Sequence, residues 1–349
     1  MLRNRAFALA SVLALGFSAA ACGDDEGETK PDDTVDCAVT PDHEECAEPG
    51  EAREGNVYSY LSGLSLPADK DDCCTDLNGE EGFDNALIGI LGLVKSFAAD
   101  LDIQEVLNGV FDDGSLTLIF ESVKPPADIA KRGTFDMNIY LGDSASSQED
   151  RFAGNGEFTL DGAPVTTVKA TIARRLLTAS VDRLPLKLDI GGLLGDLDLP
   201  IGPQITLNVD AAQLRLHISE GDTGFSTNDM THDQQGKPTN YLTGGINIAL
   251  VQDIVNALAG ECHDSLQGEG NGLLEVTETP GDETAAVSCT KDVSTLELND
   301  GTICEYLGMV CSVGSAIGGL LDVDTNDNGV YDGLSLGVRL KLAGATIAQ

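Results

Sequence analysis

The chain has no tryptophan, and its aromatic residues make up only 5% of 349 positions. A core therefore has to be built mostly from Leu, Ile, Val and Ala, within a hydrophobic fraction of 42%. Positive charge is also scarce: 20 Lys and Arg stand against 58 Asp and Glu, for a net charge of -38, and the basic residues are scattered along the sequence. A surface of that sign repels phosphate backbones and anionic lipid headgroups, which excludes nucleic acid as a partner. There is no G-x-S-x-G elbow, H-E-x-x-H helix or P-loop. No paired C-x-x-C spacing offers a zinc cluster. No apolar run reaches the roughly 20 residues of a membrane-spanning helix.

What is present begins at the amino terminus. Arg3 and Arg5 precede an apolar stretch from Ala6 to Phe17, and small residues follow, the pattern of a secretory signal peptide over residues 1–21. The run "AAAC", Ala19 to Cys22, resembles a bacterial lipobox in which Ala19 stands where Leu is usual. Cysteine number favours that reading. Nine cysteines would leave one unpaired in an oxidising compartment, and lipidation of Cys22 leaves eight. The expectation is an extracytoplasmic lipoprotein held at the cell envelope, on the outer membrane, whose membrane contact is the lipid itself. Residues 22–55 are acidic and almost free of large apolar side chains, and read as a disordered tether.

Residues 56–349 read as a single β-rich domain. Phe135, Met137, Ile139 and Leu141 alternate, as do Leu184, Leu186, Leu188 and Ile190. Ile205, Leu207 and Val209 alternate, and after a phase change Leu214, Leu216 and Ile218 continue. Asp161-Gly162 is a favoured hairpin dipeptide between two β-branched runs. Leu334 to Leu342 place apolar residues on one side, with Arg339 and Lys341 on the other. One buried and one wet face favours antiparallel pairing. The expected fold is an antiparallel β-sandwich, with a partly open barrel as the alternative. Helical periodicity marks peripheral segments near 85–111, where Asp102 and Glu105 suit a capping box, and near 249–259 and 302–321.

The eight remaining cysteines, Cys37, Cys46, Cys73, Cys74, Cys262, Cys289, Cys304 and Cys311, read as disulfide braces. They permit roughly a hundred pairings. A bond between neighbours is strained, so Cys73 and Cys74 are each expected to seek an upstream partner. On a helix Cys304 and Cys311 would stand about 10 Å apart, beyond the roughly 7 Å reach of a bridge. They should pair outward, to Cys262 and Cys289.

Two acidic loops carry the sharpest signal. In "DVDTNDNGVYDGLSLG", Asp324, Asn326, Asn328 and Asp332 recur at positions 1, 3, 5 and 9 of a loop, with Gly329 at the turn and the Val330 carbonyl at position 7. Hard oxygen donors at every second residue converge in a tight loop, which suits Ca2+. The spacing resembles the calcium loops of EF-hands, dockerins and thrombospondin type 3 repeats, except that Ser335 replaces the bidentate acid at position 12. A poorer copy places Asp76, Asn78, Glu80 and Asp84 in the same pattern, with Glu81 where Gly is wanted. Weak affinity is expected, in the range of about 10⁻⁴ to 10⁻³ M. Together with the leader and tether, the "DDCCTDLNGEEGFDNAL" opening and the "DVDTNDNG" close resemble lipoproteins of myxobacteria and their relatives, which implies an extracytoplasmic setting and supplies no activity.

No catalytic constellation is recognisable. His43 lies in the tether, His217 sits on a strand, and His232 and His263 lie beside Asp233 and Asp264 in polar loops. The "GDS" of Gly142 to Ser144 resembles the nucleophile block of one esterase family, without its further blocks. The leading reading is a surface-anchored, calcium-assisted binding or structural module, with a protein or carbohydrate partner left open. The alternative is an extracytoplasmic hydrolase using paired carboxylates on a concave sheet face. A third is a carrier of an apolar ligand between sheet and helices.

Overall fold

Alternating apolar residues do form strands, and the strands curl into a ring. The computed structural model describes residues 46–67, 73–77, 84–89, 103–113, 117–189, 204–221, 223–228, 232, 238–266, 272–297, 304, 311, 317–326 and 328–348. Eight strands close a barrel in which every neighbouring pair is antiparallel: β1 (Val57–Ser65), β2 (Leu118–Ser122), β3 (Gly133–Asp143), β5 (Thr166–Ala173), β6 (Leu176–Asp189), β7 (Gln204–Glu220), β9 (Tyr241–Asn247) and β12 (Gly333–Ile347). The ring shuts where β1 meets β12, from Tyr58 opposite Ala345 to Ser65 opposite Arg339. The expected sandwich is thus corrected to the barrel alternative, and the barrel is closed. With one continuous sheet, the apolar faces meet each other across the ring and need no second sheet.

The interior is filled by the chain's own side chains. Val57 and Leu61, Phe135, Met137 and Ile139, Val168 and Ile172, Leu214, Leu216 and Ile218, and Leu336, Val338 and Leu340 all belong to one buried cluster. The predicted phase change on β7 is a bulge. Ala211 adopts φ +49°, the register against β9 shifts between Asp210 and Gln213, and the inward set passes from Val209 to Ala212. Many outward positions on β5, β6 and β7 are polar, among them Lys169, Thr171, Thr178, Gln213 and Arg215. Apolar inside and polar outside is the reverse of a lipid-embedded barrel. Among the described residues no helix is long and apolar enough to cross a membrane.

Short elements stop the ends and cover the wall. β8 (Phe225–Thr227) pairs with the end of β7 and sends Phe225 into the interior cluster. β4 (Gly156–Leu160) bonds to the end of β3 on one edge and to the end of β12 on the other. It packs Phe158 against outward-facing Tyr60, with ring centroids 4.8 Å apart. Asp161-Gly162 does turn, with Gly162 at φ +75°, but the strands it joins pair with other partners and not with each other. That hairpin expectation is corrected: β4 is held by β3 and β12, and β5 by β3 and β6.

Helix α1 (Ile103–Asp113) and the short α2 (Gln148–Phe152) meet at Arg151. This buried guanidinium donates to the carbonyl of Asp112 at 2.8 Å, at the negative end of α1. α3 (Ile248–Cys262) follows β9 directly and is capped by Asn247, whose side chain accepts from the Ala249 N–H. Residues 86–89 are helical, and so are Cys304, Cys311, Ile317 and Gly318; together with α1 these are the described helical parts of the first and third predicted segments, Gly319 to Leu321 are not helical, and Asp102 lies outside the described residues. A two-stranded sheet of β10 (Leu274–Thr277) and β11 (Ala286–Cys289) packs against α3.

Disulfides join Cys262 to Cys304 and Cys289 to Cys311, both outward from the third helical segment, with Cα separations of 5.4 and 5.5 Å. Cys46 is also disulfide-bonded. Cys73 and Cys74 are bonded to each other, which corrects the upstream pairing expected for them. Their peptide is cis. The pair is buried with Tyr241 over β12, where a Cβ at Gly337 would lie 3.1 Å from the Cys74 sulfur. Glycine at 337 leaves room for it. The signal segment, Cys22, Cys37 and most of the tether lie outside the described residues. The last residues assigned to the tether do not hang free: Pro49 and Ala52 bridge to Arg132 and Pro126, so the barrel unit begins near Cys46.

Candidate functional site

The loop before β12 is organised by its own Asp and Asn side chains, each folding back onto nearby backbone N–H groups. Asp324 accepts from the N–H groups of Asn326, Asn328 and Gly329, at 3.2, 3.2 and 2.6 Å. Asn328 Oδ1 accepts from the Val330 N–H at 2.8 Å. Gly329 takes φ +84°, the left-handed conformation that position 6 of such a loop requires. Val330 itself is buried in a satellite cluster with Ile248 and Leu334.

Asp332 is the loop's anchor. It is completely buried, and its two oxygens accept from the Thr325 N–H and hydroxyl, from Asn247 Nδ2 at 2.7 Å and from Asn326 Nδ2 at 3.0 Å. The loop is thereby tied to the first turn of α3. Sequence reasoning missed one member of this group. Glu278, just beyond β10, accepts from Asn328 Nδ2 at 2.6 Å and Asn326 Nδ2 at 3.4 Å. No spacing rule could have found it, because only the packing of β10 against α3 carries it there.

Asp324, Asn326, Asn328 and Asp332 are therefore brought into one turn, with Glu278 added. The oxygen-rich donor set is the type that suits a hard cation. In this conformation the amide oxygens of Asn326 and Asn328 face backbone N–H groups, and their nitrogens face the carboxylates. Among the described residues no three His, Cys, Asp or Glu side chains gather closely enough to hold a metal by themselves. Cation binding would require the two Asn amides to turn their oxygens inward.

The first acidic loop behaves differently. Asp84 Oδ2 accepts from the Leu77 N–H at 2.6 Å, Asp76 is exposed, and Asn78 and Glu80 lie outside the described residues. The loop instead docks on the second one. The Ala86 N–H donates to the buried Ser335 hydroxyl at 2.7 Å, and that hydroxyl donates to Asp322 at 2.5 Å. Burial, followed by the negative charge of Asp84, raises the Asp322 pKa against the lowering effect of the Ser335 bonds. Asp322 is thus bonded to both the N–H and the hydroxyl of Ser335. Ser144 is likewise occupied, donating to the Glu157 carbonyl at 2.6 Å. His217 Nδ1 is bonded to Asn228 Nδ2.

A second polar constellation sits on the outer wall. Glu121 of β2 is buried between β1 and β3, directly opposite Tyr58 on one side and Asn138 on the other. One oxygen accepts from Tyr58 Oη at 2.6 Å and Asn56 Nδ2 at 2.7 Å, and the other from Asn138 Nδ2 at 2.7 Å and Tyr140 Oη at 2.9 Å. Burial alone would raise the carboxyl's pKa, but the hydrogen bonds from Tyr58, Asn138, Tyr140 and Asn56 outweigh it and hold the pKa below the ordinary 4.5. Burial, then the bond to Glu121, pushes the Tyr58 phenol up to about 12.

The pH signs follow from these shifts. A lowered carboxylate pKa stabilises the fold above pH 4.5, and that contribution is lost as pH falls through the folded-state value. A raised phenol pKa stabilises below pH 10, and its contribution is lost between pH 10 and about 12. Melting curves across pH should therefore show Glu121→Gln flattening the acid limb and Tyr58→Phe the alkaline limb. Limbs unchanged in both variants would remove the network from the account.

Comparison of the chain with protein-family models, with curated proteins and with solved structures finds no match.

Proposed function

We propose that the chain is an extracytoplasmic, lipid-anchored binding or structural module, steadied by Ca2+ at the 324–332 loop. Cys22 carries the anchor in this reading, and the closed barrel is the body held off the membrane. The observation that supports the metal is the gathering of Asp324, Asn326, Asn328 and Glu278 around one turn, where the two carboxylates are bonded, among the described residues, to no basic side chain. A divalent ion there would relieve their mutual repulsion and tie the start of β12 to β10 and α3. Asp324, Asp332 and Glu278 would supply charge, and Asn326, Asn328 and the Val330 carbonyl neutral oxygens.

The expected outcome is a rise in melting temperature when calcium replaces chelator. A dissociation constant of about 10⁻⁴ to 10⁻³ M gives about 1–3 kcal/mol at ten-millimolar calcium, or several degrees for a domain of this size. Asp324→Ala, at a half-buried position, and Glu278→Gln, at an exposed one, should each reduce the shift, and the pair should abolish it. Melts identical in calcium and chelator would end the metal part of the proposal. Labelling of Cys22 with radioactive palmitate tests the anchor separately.

A further inference from the structure

The outer-wall carboxylate has a peculiarity that a purely structural knot would not need. Glu121 keeps its charge while buried, yet among the described residues no Lys, Arg or His pairs with it; all four of its partners are neutral. The same Asn-x-Tyr pattern reaches it from both flanking strands, as Asn56 and Tyr58 on the β1 side and Asn138 and Tyr140 on β3. Thr167 of β5 extends the row by donating to Asn138 Oδ1 at 2.7 Å. Tyr58 and Tyr140 remain partly exposed, and they share an outer apolar patch with Leu160 and Ile347. The wall thus presents a fixed negative charge beneath two tyrosines at the rim of an apolar patch.

We infer that this stretch of wall, centred on Glu121 between Tyr58 and Tyr140, binds an organic ammonium group. A negative charge beside aromatic rings is the chemistry that recognises an alkylated or primary ammonium, through charge attraction and the electron-rich ring faces. A metal ion suits the place poorly. Both carboxylate oxygens already accept two hydrogen bonds each, and inner-sphere ligation would have to break them. A diffuse cation can rest on the rings and leave all four in place. The net charge of -38 raises the local concentration of any cation near the surface. This site is separate from the 324–332 loop and does not rest on the calcium reading.

The test titrates the full chain, in chelator and at constant ionic strength, with tetramethylammonium chloride, n-butylammonium chloride and tert-butanol as a neutral mimic. Binding is followed by calorimetry and by the tyrosine ring resonances. Saturable binding of either ammonium, with tert-butanol inert, is expected. Stronger tetramethylammonium binding identifies a small quaternary amine as the ligand type, and stronger butylammonium binding identifies a lysine side chain. Glu121→Gln should weaken binding about tenfold or more, and Tyr58→Leu, which removes a ring, about threefold or more. No saturable ammonium binding, tert-butanol binding as well as the cations, or full binding by Glu121→Gln would each overturn the inference. Should Glu121→Gln fail to fold, the wild-type comparison of tetramethylammonium with tert-butanol decides alone.

Discussion

Asp332→Ala should lower stability by about 2–5 kcal/mol even in chelator, because several buried donors lose their acceptor at once. The carboxylate is fully enclosed and receives Thr325 N–H and Oγ1, Asn247 Nδ2 and Asn326 Nδ2. Truncation strands donors from two elements at once. Asn247, the cap of α3, would keep only Thr325 Oγ1 as acceptor for its amide nitrogen. Asp332→Asn keeps the shape and one acceptor oxygen, and should lose markedly less. Chemical denaturation of the three proteins measures the difference. A loss under about 1 kcal/mol for the Ala variant would show that water replaces the missing oxygens and that the loop is not an anchor. Because the effect does not need calcium, it separates the structural role of Asp332 from any role as a ligand.

Phe225→Ala should cost a similar amount, about 3–5 kcal/mol. Its ring is 1% exposed and belongs to the interior cluster although it comes from a three-residue strand at the barrel's end. Nothing else in that segment reaches as deep, so truncation opens a cavity that the rigid ring of strands cannot collapse to fill. The Arg53 guanidinium lies 5.8 Å from the ring centroid and is paired with Glu220 at the surface. Arg53→Ala should therefore lose no more than about 1 kcal/mol. Urea unfolding at unchanged m-value checks both. A Phe225→Ala loss no larger than that of Arg53→Ala would mean the end is sealed by other residues.

Strand content was open to reading because inward residues on β3, β7 and β12 recur at every second position, and even the β7 bulge left its mark as a break in that rhythm. α3 was equally plain, from Leu250, Ile254 and Leu258. Closure was not. Sandwich and barrel share the same alternation, and what separates them is a pairing of Tyr58 with Ala345 across almost the whole sequence. The turn at Asp161-Gly162 was visible, but the partners of its strands are set by tertiary contacts that a dipeptide does not encode. The vicinal cysteines were misjudged for a similar reason. Local geometry argued against their union, while the burial of both over Gly337 and beside Tyr241 belongs to the fold.

The candidate sites divide the same way. Asp324 to Asp332 were legible as a spaced set because the loop is contiguous. Glu278 was not, since it arrives from another element, and Glu121 looked like any acid among 58 Asp and Glu. A carboxylate facing outward on a strand ordinarily signals solvent. Only the two Asn-x-Tyr pairs closing over it make it a buried charge, and their register is a property of the sheet.

The strand that shuts the ring also sets the order of events in folding. β12 contacts β1 along one edge and β9 and β4 along the other, so three of the sheet's pairings wait for residues 333–347 to arrive. Until then β1 has a bare edge and the Leu and Ile side chains of every other strand face an unfinished lumen. Such long sequence separations imply high contact order and slow acquisition of the native state. A chain emerging amino terminus first leaves that apolar face uncovered until residues 333–347 arrive.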